Sequence, residues 1–536
     1  MAKQHKNPSQ MLHKFSDVPV ADIQRSSFNR SHSYKTTFDA GYIVPFFVDE
    51  ALPGDTFNLN ATIFARLNTP EVPFMDNLHL DTFYFAVPMR LVWDNFKKFM
   101  GEQIDPGDSI DYTIPQLVAP ASGGFVVGKL GDYFGIPTGI NSLSVNALPF
   151  RAYYRIWNEW FRDQNLQDSE NAGLETGDGP TNLTNDYNLL RRGKRHDYFT
   201  SCLPWPQKGD AATISLGTTA PISGIGKFNQ VYSTGGINVY ETDGSGTTNY
   251  PAGFRTIGTT TDDAFTIQED PNNTGYPNLR TDLSSATAST VNQLRESIAT
   301  QHFLETDARA GTRYTEIVKA HFNVTSPDAR LQRPEYLGGR STPLMVTPVE
   351  QTSSTDATTP QGNLAGYGTA LSVGEGFSKS FTEHCYVFGL LSVRADLTYQ
   401  QGLNRMWSRS TRYDFYWPEF AHLGEQEVLN KEIYAQNDAN DDLTFGYQER
   451  YAEYRYKPSQ ITGQLRSTYS TPLDYWHLAE EFGSLPTLSS SFIEDNPPVD
   501  RVVAITSEPD FVMDSFIDLK CARPMPVYSI PGLNKL

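Results

Sequence analysis

The sequence predicts a mainly β fold: an antiparallel sandwich of jelly-roll type, interrupted by long loop and helical insertions. Three observations carry that expectation. Across 56–67 the residues Phe57, Leu59, Ala61, Ile63, Ala65 and Leu67 are apolar at every second position. Thr56, Asn58, Asn60, Thr62 and Arg66 fill the alternate places, with Phe64 the exception. Period two over this length means one buried strand face. Residues 382–394, with the run EHCYVFGLLSVR closing on Arg394, are almost continuously apolar. A strand reads this way when both of its faces are covered. Strand and helix patterns do not alternate along the chain, which argues against a parallel α/β sheet and leaves the sandwich.

Residues 1–35 hold Lys3, Lys6, Lys14, Arg25, Arg30 and Lys35 against Asp17 and Asp22, with weak apolar periodicity. They read as a basic, extended arm. Residues 36–208 read as the first part of the body. The turn Pro53-Gly54-Asp55 precedes the 56–67 strand, and a second strand covers 78–87, bounded by Pro88. Helical spacing follows at 90–100, where Leu91, Val92, Phe96, Phe99 and Met100 share a face and Gly101 terminates it. Residues 149–163 form the clearest amphipathic helix. Phe150, Tyr153, Tyr154, Trp157, Trp160 and Phe161 make its stripe, and Arg151, Arg155, Glu159 and Arg162 lie off it. So aromatic a stripe belongs under a broad sheet or at a contact.

Residues 209–289 change character, being rich in Thr and Gly with few cations (Lys227, Arg255, Arg280). They read as a polar surface insertion, partly β, with 235–241 one such piece. Residues 290–536 resume the body. A helix is expected at 290–310 on Val291, Leu294, Ile298 and His302. A Thr/Gly/Ser-rich stretch covers 350–378. Thr471, Pro472 and Asp474 signal a short helix over 471–482, and 502–505 reads as a strand. Pro524, Pro526 and Pro531 mark an extended C-terminal arm. No internal repeat is visible.

Lys plus Arg number 43 and Asp plus Glu 62, a net charge of −19. Such a chain is a poor general polyanion binder, because basic side chains supply the phosphate-neutralising term. The 32 Phe, 28 Tyr and 7 Trp exclude global disorder. Cys202, Cys385 and Cys521 are odd in number and far apart, so neither a disulfide framework nor a cysteine zinc site is expected. The opening MAKQHKNPSQMLHKF has no apolar segment of signal type. No apolar run approaches the ~20 residues that cross a membrane. A soluble product of a reducing compartment is expected.

Residues 123–129 (GGFVVGK) keep the spacing of a phosphate loop up to the lysine, but Leu130 stands where Ser or Thr must ligate magnesium. Asp438, Asn440, Asp442 and Glu449 occupy positions 1, 3, 5 and 12 of a calcium loop, but Leu443 replaces its glycine. A solvated acidic turn is the simpler reading, with a held cation left open. The histidines show no HExxH spacing, and no GxSxG elbow occurs. Acid pairs such as Glu480 and Glu481 are too common here to mark a glycosidase dyad. No catalytic residue, metal ligand or cofactor site is identified. Two segments interleave cations with aromatics, 405–417 (RMWSRSTRYDFYW) and 450–457 (RYAEYRYK), the latter followed by Arg466. Stacking plus phosphate neutralisation is how single strands are held. Arg405, Arg409, Arg455 and Lys457 therefore join the six cations of the arm as nucleic-acid contact candidates. Tyr and Arg equally make protein–protein hot spots, and that reading is favoured.

The stretches NRSHSYKTTFDAGYIVPFFVDEALPGDTF (29–57), EYLGGRS (335–341) and RYAEYRYKPSQITGQLRST (450–468) resemble blocks of the gokushovirus major capsid protein family of the Microviridae. The resemblance runs in order from about residue 15 to the C-terminus, and 209–289 departs from it. It implies an eight-stranded jelly roll, and 60 copies in a T = 1 icosahedral shell around circular single-stranded DNA. It implies a small basic DNA-packaging protein as partner, and a threefold protrusion from the insertion that meets a bacterial host receptor. Assembly in the host cytoplasm and residence in the virion follow, with no membrane. The competing readings are a secreted-type, β-rich carbohydrate-active enzyme, which needs two carboxylates in an aromatic cleft, and a monomeric receptor-binding or fibre protein, which needs repeats.

Overall fold

The structure, a computed structural model, describes residues 24–179, 188–213, 222–223, 225–227, 238–240, 247–249, 265–267, 279–281, 291–356 and 360–528. The chain divides into two compact units: Met1–Pro206 with Ala310–Leu536, and Gln207–Arg309.

Nine strands form one rolled sheet in the first unit: β1 (Ser26–Asn29), β2 (His32–Phe38), β3 (Val44–Ala51), β4 (Thr56–Leu67), β5 (Leu78–Pro88), β6 (Glu335–Glu350), β7 (Leu364–Ser380), β8 (Cys385–Ala395) and β9 (Phe511–Arg523). Their order is β1–β9–β4–β7–β6–β5–β8–β3, with β2 also on β9. Every pairing is antiparallel. Asn29 pairs with Lys520 and His32 with Ile517, so β1 and β2 are two stretches of one edge. The nine strands thus fill eight places, the expected count for a jelly roll. Early strands pair with late ones in mirror order: β2 with β9, β3 with β8, β4 with β7, β5 with β6.

β6 serves both halves of the roll. Its residues 335–344 pair with β5, and 345–350 pair with β7. Each half therefore keeps one side free of a ladder, and Pro343 and Pro348 are tolerated there. Arg30, between β1 and β2, forms an ion pair with Asp49 on β3, the strand at the sheet's far end. Its Nη2 donates to the same carboxylate at 3.0 Å, and Arg523 donates to the Glu50 carbonyl at 2.6 Å. Side chains, not a backbone ladder, close this side of the roll.

The alternation in β4 is realised in full: Phe57, Leu59, Ala61, Ile63, Ala65 and Leu67 are buried and Phe64 faces out. β9 repeats the pattern with Phe511, Met513, Ser515, Ile517, Leu519 and Cys521 inside. These residues meet Leu78, Leu80, Val387, Leu391 and Val393 in the main core. The Glu375 carboxyl is buried within the roll. A bulge between Val373 and Glu375, with Gly374 at φ +72°, turns Glu375 inward. There it accepts from Thr82 and Ser372, both at 2.9 Å. Burial pushes its pKa up, and those two hydrogen bonds oppose the shift.

β8 is buried on both faces, as its apolar run requires. Its outer residues Tyr386, Phe388 and Leu390, with Phe85 and Val87 of β5, form a second core under helix α1 (Leu148–Ile156). The aromatic stripe of α1 continues as a wider π turn over Trp157–Phe161. Arg151 departs from its expected place off the stripe. It is fully buried, donating to the carbonyls of Val92 at 3.2 Å and Gly177 at 2.9 Å and pairing with Glu175 at 3.4 Å.

Several expectations are corrected. Residues 24–35 are not an arm: from Ser26 they are edge strand, because β9 offers them a ladder. The remainder of the arm, 1–23, lies outside the described residues. The 90–100 helix is two short turns, Met89–Leu91 and Phe96–Phe99. Residues 471–482 hold only the turn Asp474–Trp476, and 502–505 is no strand, although Val503 bridges Pro70. The Thr/Gly/Ser-rich 350–378 contains most of the long strand β7. Residues 511–523, where no element was expected, form β9, a strand paired on both sides; of the expected proline-marked arm, 524–528 hold no strand or helix and 529–536 lie outside the described residues. In the unit Gln207–Arg309, three short antiparallel pairs appear, among them Asn238–Tyr240 with Thr247–Asn249. Helix α2 (Val291–Ala310) leaves Val291, Leu294 and Ile298 exposed.

Asp495 is buried, and its Oδ2 has no hydrogen-bond partner. Burial lifts its pKa from 3.8 to about 7, against the pull of Lys194 and Arg192. Between those values the folded state holds a proton that the unfolded state has lost. Stability therefore falls as pH rises from about 4 to about 7, then levels. Asp495→Asn is expected to raise the unfolding temperature by several degrees at pH 8, with the gain shrinking towards zero near pH 4. Equal gains at both pH values would remove the carboxyl as their source.

Candidate functional site

The arginine and aromatic segments fold on a third hydrophobic cluster that includes Tyr198, Phe199, Tyr399, Val428, Ile433 and Phe445. A hairpin of Glu425–Leu429 with Thr444–Glu449 frames it. Single turns display the side chains: Arg405–Trp407, Arg412–Asp414 and Ala452–Tyr454. Asn404 caps the first through the Met406 amide at 3.0 Å. Asp414 caps the second, accepting from the Thr411 amide at 2.6 Å and the Ser410 amide at 2.9 Å. Those bonds hold its pKa below the usual carboxylate value.

The structure brings the two segments together. The Arg409 guanidinium lies 4.3 Å from the centre of the Tyr454 ring, and Tyr416 packs edge-on against Tyr451 at 5.1 Å. Trp407 is 70% exposed, and Tyr413, Phe415, Tyr416, Trp417, Tyr454 and Tyr456 are exposed around it. Rings of this size rarely stay in water without a partner.

Most of the candidate cations among the described residues already have acidic partners. Arg405 pairs with buried Glu432 at 2.9 Å and approaches Glu453 at 4.0 Å. Arg409 pairs with Glu453 at 3.5 Å, and Arg455 with Glu449. Burial raises the Glu432 pKa, while Arg405, the Leu429 amide and the Tyr198 hydroxyl work against it. Lys457 is exposed. At the other end of the chain, Arg30 is committed to Asp49 and Lys35 to Asp514. Arg25 donates to Thr56 Oγ1 at 2.7 Å. Lys3, Lys6 and Lys14 lie outside the described residues. The acids Glu432 and Glu453 were invisible as partners in the sequence, because nothing distinguishes them among so many carboxylates.

The other motifs stay structural. Residues 123–129 are a loop with Gly123, Gly124 and Gly128 at positive φ. Asp442 pairs with Lys431 at 2.6 Å, and Glu449 sits in the hairpin with Arg455, so the four calcium-loop positions do not converge. Among the described residues no group of three His, Cys, Asp or Glu is placed to hold a metal, and no helix is long and apolar enough to cross a membrane.

Arg405→Ala is expected to cost about 3–5 kcal/mol of stability, because it strands the buried Glu432 carboxylate. Adding Glu432→Gln should recover much of that loss in denaturant unfolding. No recovery would show that Arg405 acts through something other than this pair.

A family model described as capsid protein (F protein) matches residues 16–533. Capsid protein VP1 of Bdellovibrio phage phiMH2K is 50% identical over 97% of both chains. Capsid protein VP1 of Chlamydia phage 1 is 44% identical over the full length of both, and that of Spiroplasma virus 4 is 39% identical over the same span. A jelly roll closed by its own side chains, with broad apolar surface left outside, is what a coat subunit requires, and the chain belongs to the phage capsid protein (F protein) family, as a major capsid protein of the gokushovirus type.

Proposed function

We propose that 60 copies of this chain assemble into a T = 1 icosahedral shell around a circular single-stranded DNA genome. The observation that carries the shell contacts is the outer face of β9, β4, β7 and β6. Phe64 stands directly opposite Leu371 across the ladder, both exposed. Val373, Phe516, Val512 and Met345 extend the patch, each more than half exposed. An exposed apolar patch on an otherwise polar sheet face needs a cover, and in a self-assembling family the cover is a sibling subunit.

A shell of −19 subunits does not neutralise packaged phosphates by bulk charge. Genome contact falls instead on local features, the 1–35 cations and the arginine and aromatic segments, helped by a small basic packaging protein. The 209–289 insertion supplies the threefold protrusion that meets the bacterial receptor. Its support is that the unit holding it, Gln207–Arg309, clusters as its own compact body. Assembly takes place in the host cytoplasm.

Negative-stain imaging of the purified chain should show closed shells of uniform diameter; solitary particles under every ionic condition would end the proposal. Deleting about residues 215–285 should leave shells intact and abolish host adsorption. Loss of shells instead would make that segment part of the body.

A further inference from the structure

The lobe carrying the arginine and aromatic segments holds a half-open cavity of about 180 Å³, walled by residues of 405–414, 426–432 and 450–453. Four polar atoms of lining residues are buried without a hydrogen-bond partner: Tyr451 Oη, Ser408 Oγ, and the Nε atoms of Arg409 and Arg450. All four can donate, and a buried donor without an acceptor is destabilising.

Arg450 differs from the other cations here. Arg405 and Arg409 are tied to Glu432 and Glu453, and Lys431 to Asp442. Half-buried Arg450 has no carboxylate partner among the described residues. Its guanidinium lies against the Tyr451 ring at 5.1 Å and the Phe420 ring at 5.9 Å. Three carboxylates also line the cavity, and each is already engaged. Glu432 is held by Arg405 and the Tyr198 hydroxyl, Glu453 by Arg409, and Asp414 by two backbone amides.

Tyr451 adds an independent observation. It is 4% exposed and adopts φ +62°, a left-handed conformation that bulky side chains rarely take. Backbone strain of this kind persists where surrounding structure enforces it, and it gathers at ligand clamps.

We propose that this cavity is an oxyanion site taking one phosphate of the packaged single strand, with Arg450 as the counter-charge and Tyr451 and Ser408 as hydroxyl donors. The inference rests on the genome-contact reading above and gives it a location. A phosphodiester supplies charged oxygen acceptors, the partner type these unspent donors lack. Bases flanking it find Trp407 and Phe415 exposed for stacking.

The test titrates the full-length subunit with a short thymidine oligonucleotide across a salt series, and separately with inorganic phosphate. Arg450→Gln should weaken oligonucleotide binding about tenfold and flatten the log K against log salt slope by about 0.7, the value for one single-strand phosphate contact. Tyr451→Phe should weaken binding several-fold at an unchanged slope and with an unfolding temperature no lower than the parent's, since it removes an unsatisfied buried donor, so the test survives if the glutamine variant misfolds. Parental affinity and slope in both variants overturn the site. Inorganic phosphate binding without oligonucleotide binding overturns the assignment to DNA. A parent chain that binds neither sinks the genome-contact reading itself.

Discussion

The mirror-order pairing of the two ends of the chain is the constraint on which the rest of this structure depends. β4 keeps its apolar face dry only because β9, more than 400 residues later, lies beside it over its whole length, from Phe511 opposite Leu67 to Ala522 opposite Thr56. β9 in turn supplies the ladder that converts residues 26–38 into an edge. Neither partner is useful alone, since a lone strand would leave its backbone groups unpaired and its apolar side chains in water. Pairing of this separation makes for slow folding, because the loop-closure entropy is spent before the contacts form.

The same topology decides where length can be added. Mirror pairing brings β5 and β6 together as the innermost pair, so the 89–334 segment between them can grow without disturbing the ladders. Helix α1 uses part of that segment to roof β5 and β8. That roof lets β8 be apolar throughout, and the buried Arg151 ties it to the carbonyls of the loops beneath. The arginine and aromatic lobe is a second such addition, between β8 and β9.

Within that lobe the basic character of the sequence is largely cancelled in three dimensions. A buried guanidinium or carboxylate needs a counter-charge, and Arg405, Glu432, Arg409 and Glu453 provide it for one another. What stays available to a partner is a set of exposed aromatics and the few cations, such as Lys457, that no acid among the described residues claims. Surface chemistry here is therefore set by which pairs close, not by the count of charges.

Where side-chain pattern and burial coincide, the sequence determined the outcome by itself. The period-two run 56–67, the apolar run of β8 and the aromatic stripe of α1 each announced its element, because one face, two faces or a helical stripe had to leave water. β9 carries the same alternation, from Phe511 to Cys521, beside the proline-marked stretch that follows it. Tertiary structure alone decided the edge role of residues 26–38 and the strand role of Gly-rich β7, since neither hides enough apolar surface to declare itself; a neighbouring ladder makes them strands. It alone selected Glu432, Glu453 and Asp49 as partners from an abundance of acids, and left Arg450 without one among the described residues. Ion pairs form between residues far apart in sequence, so spacing along the chain holds no record of them.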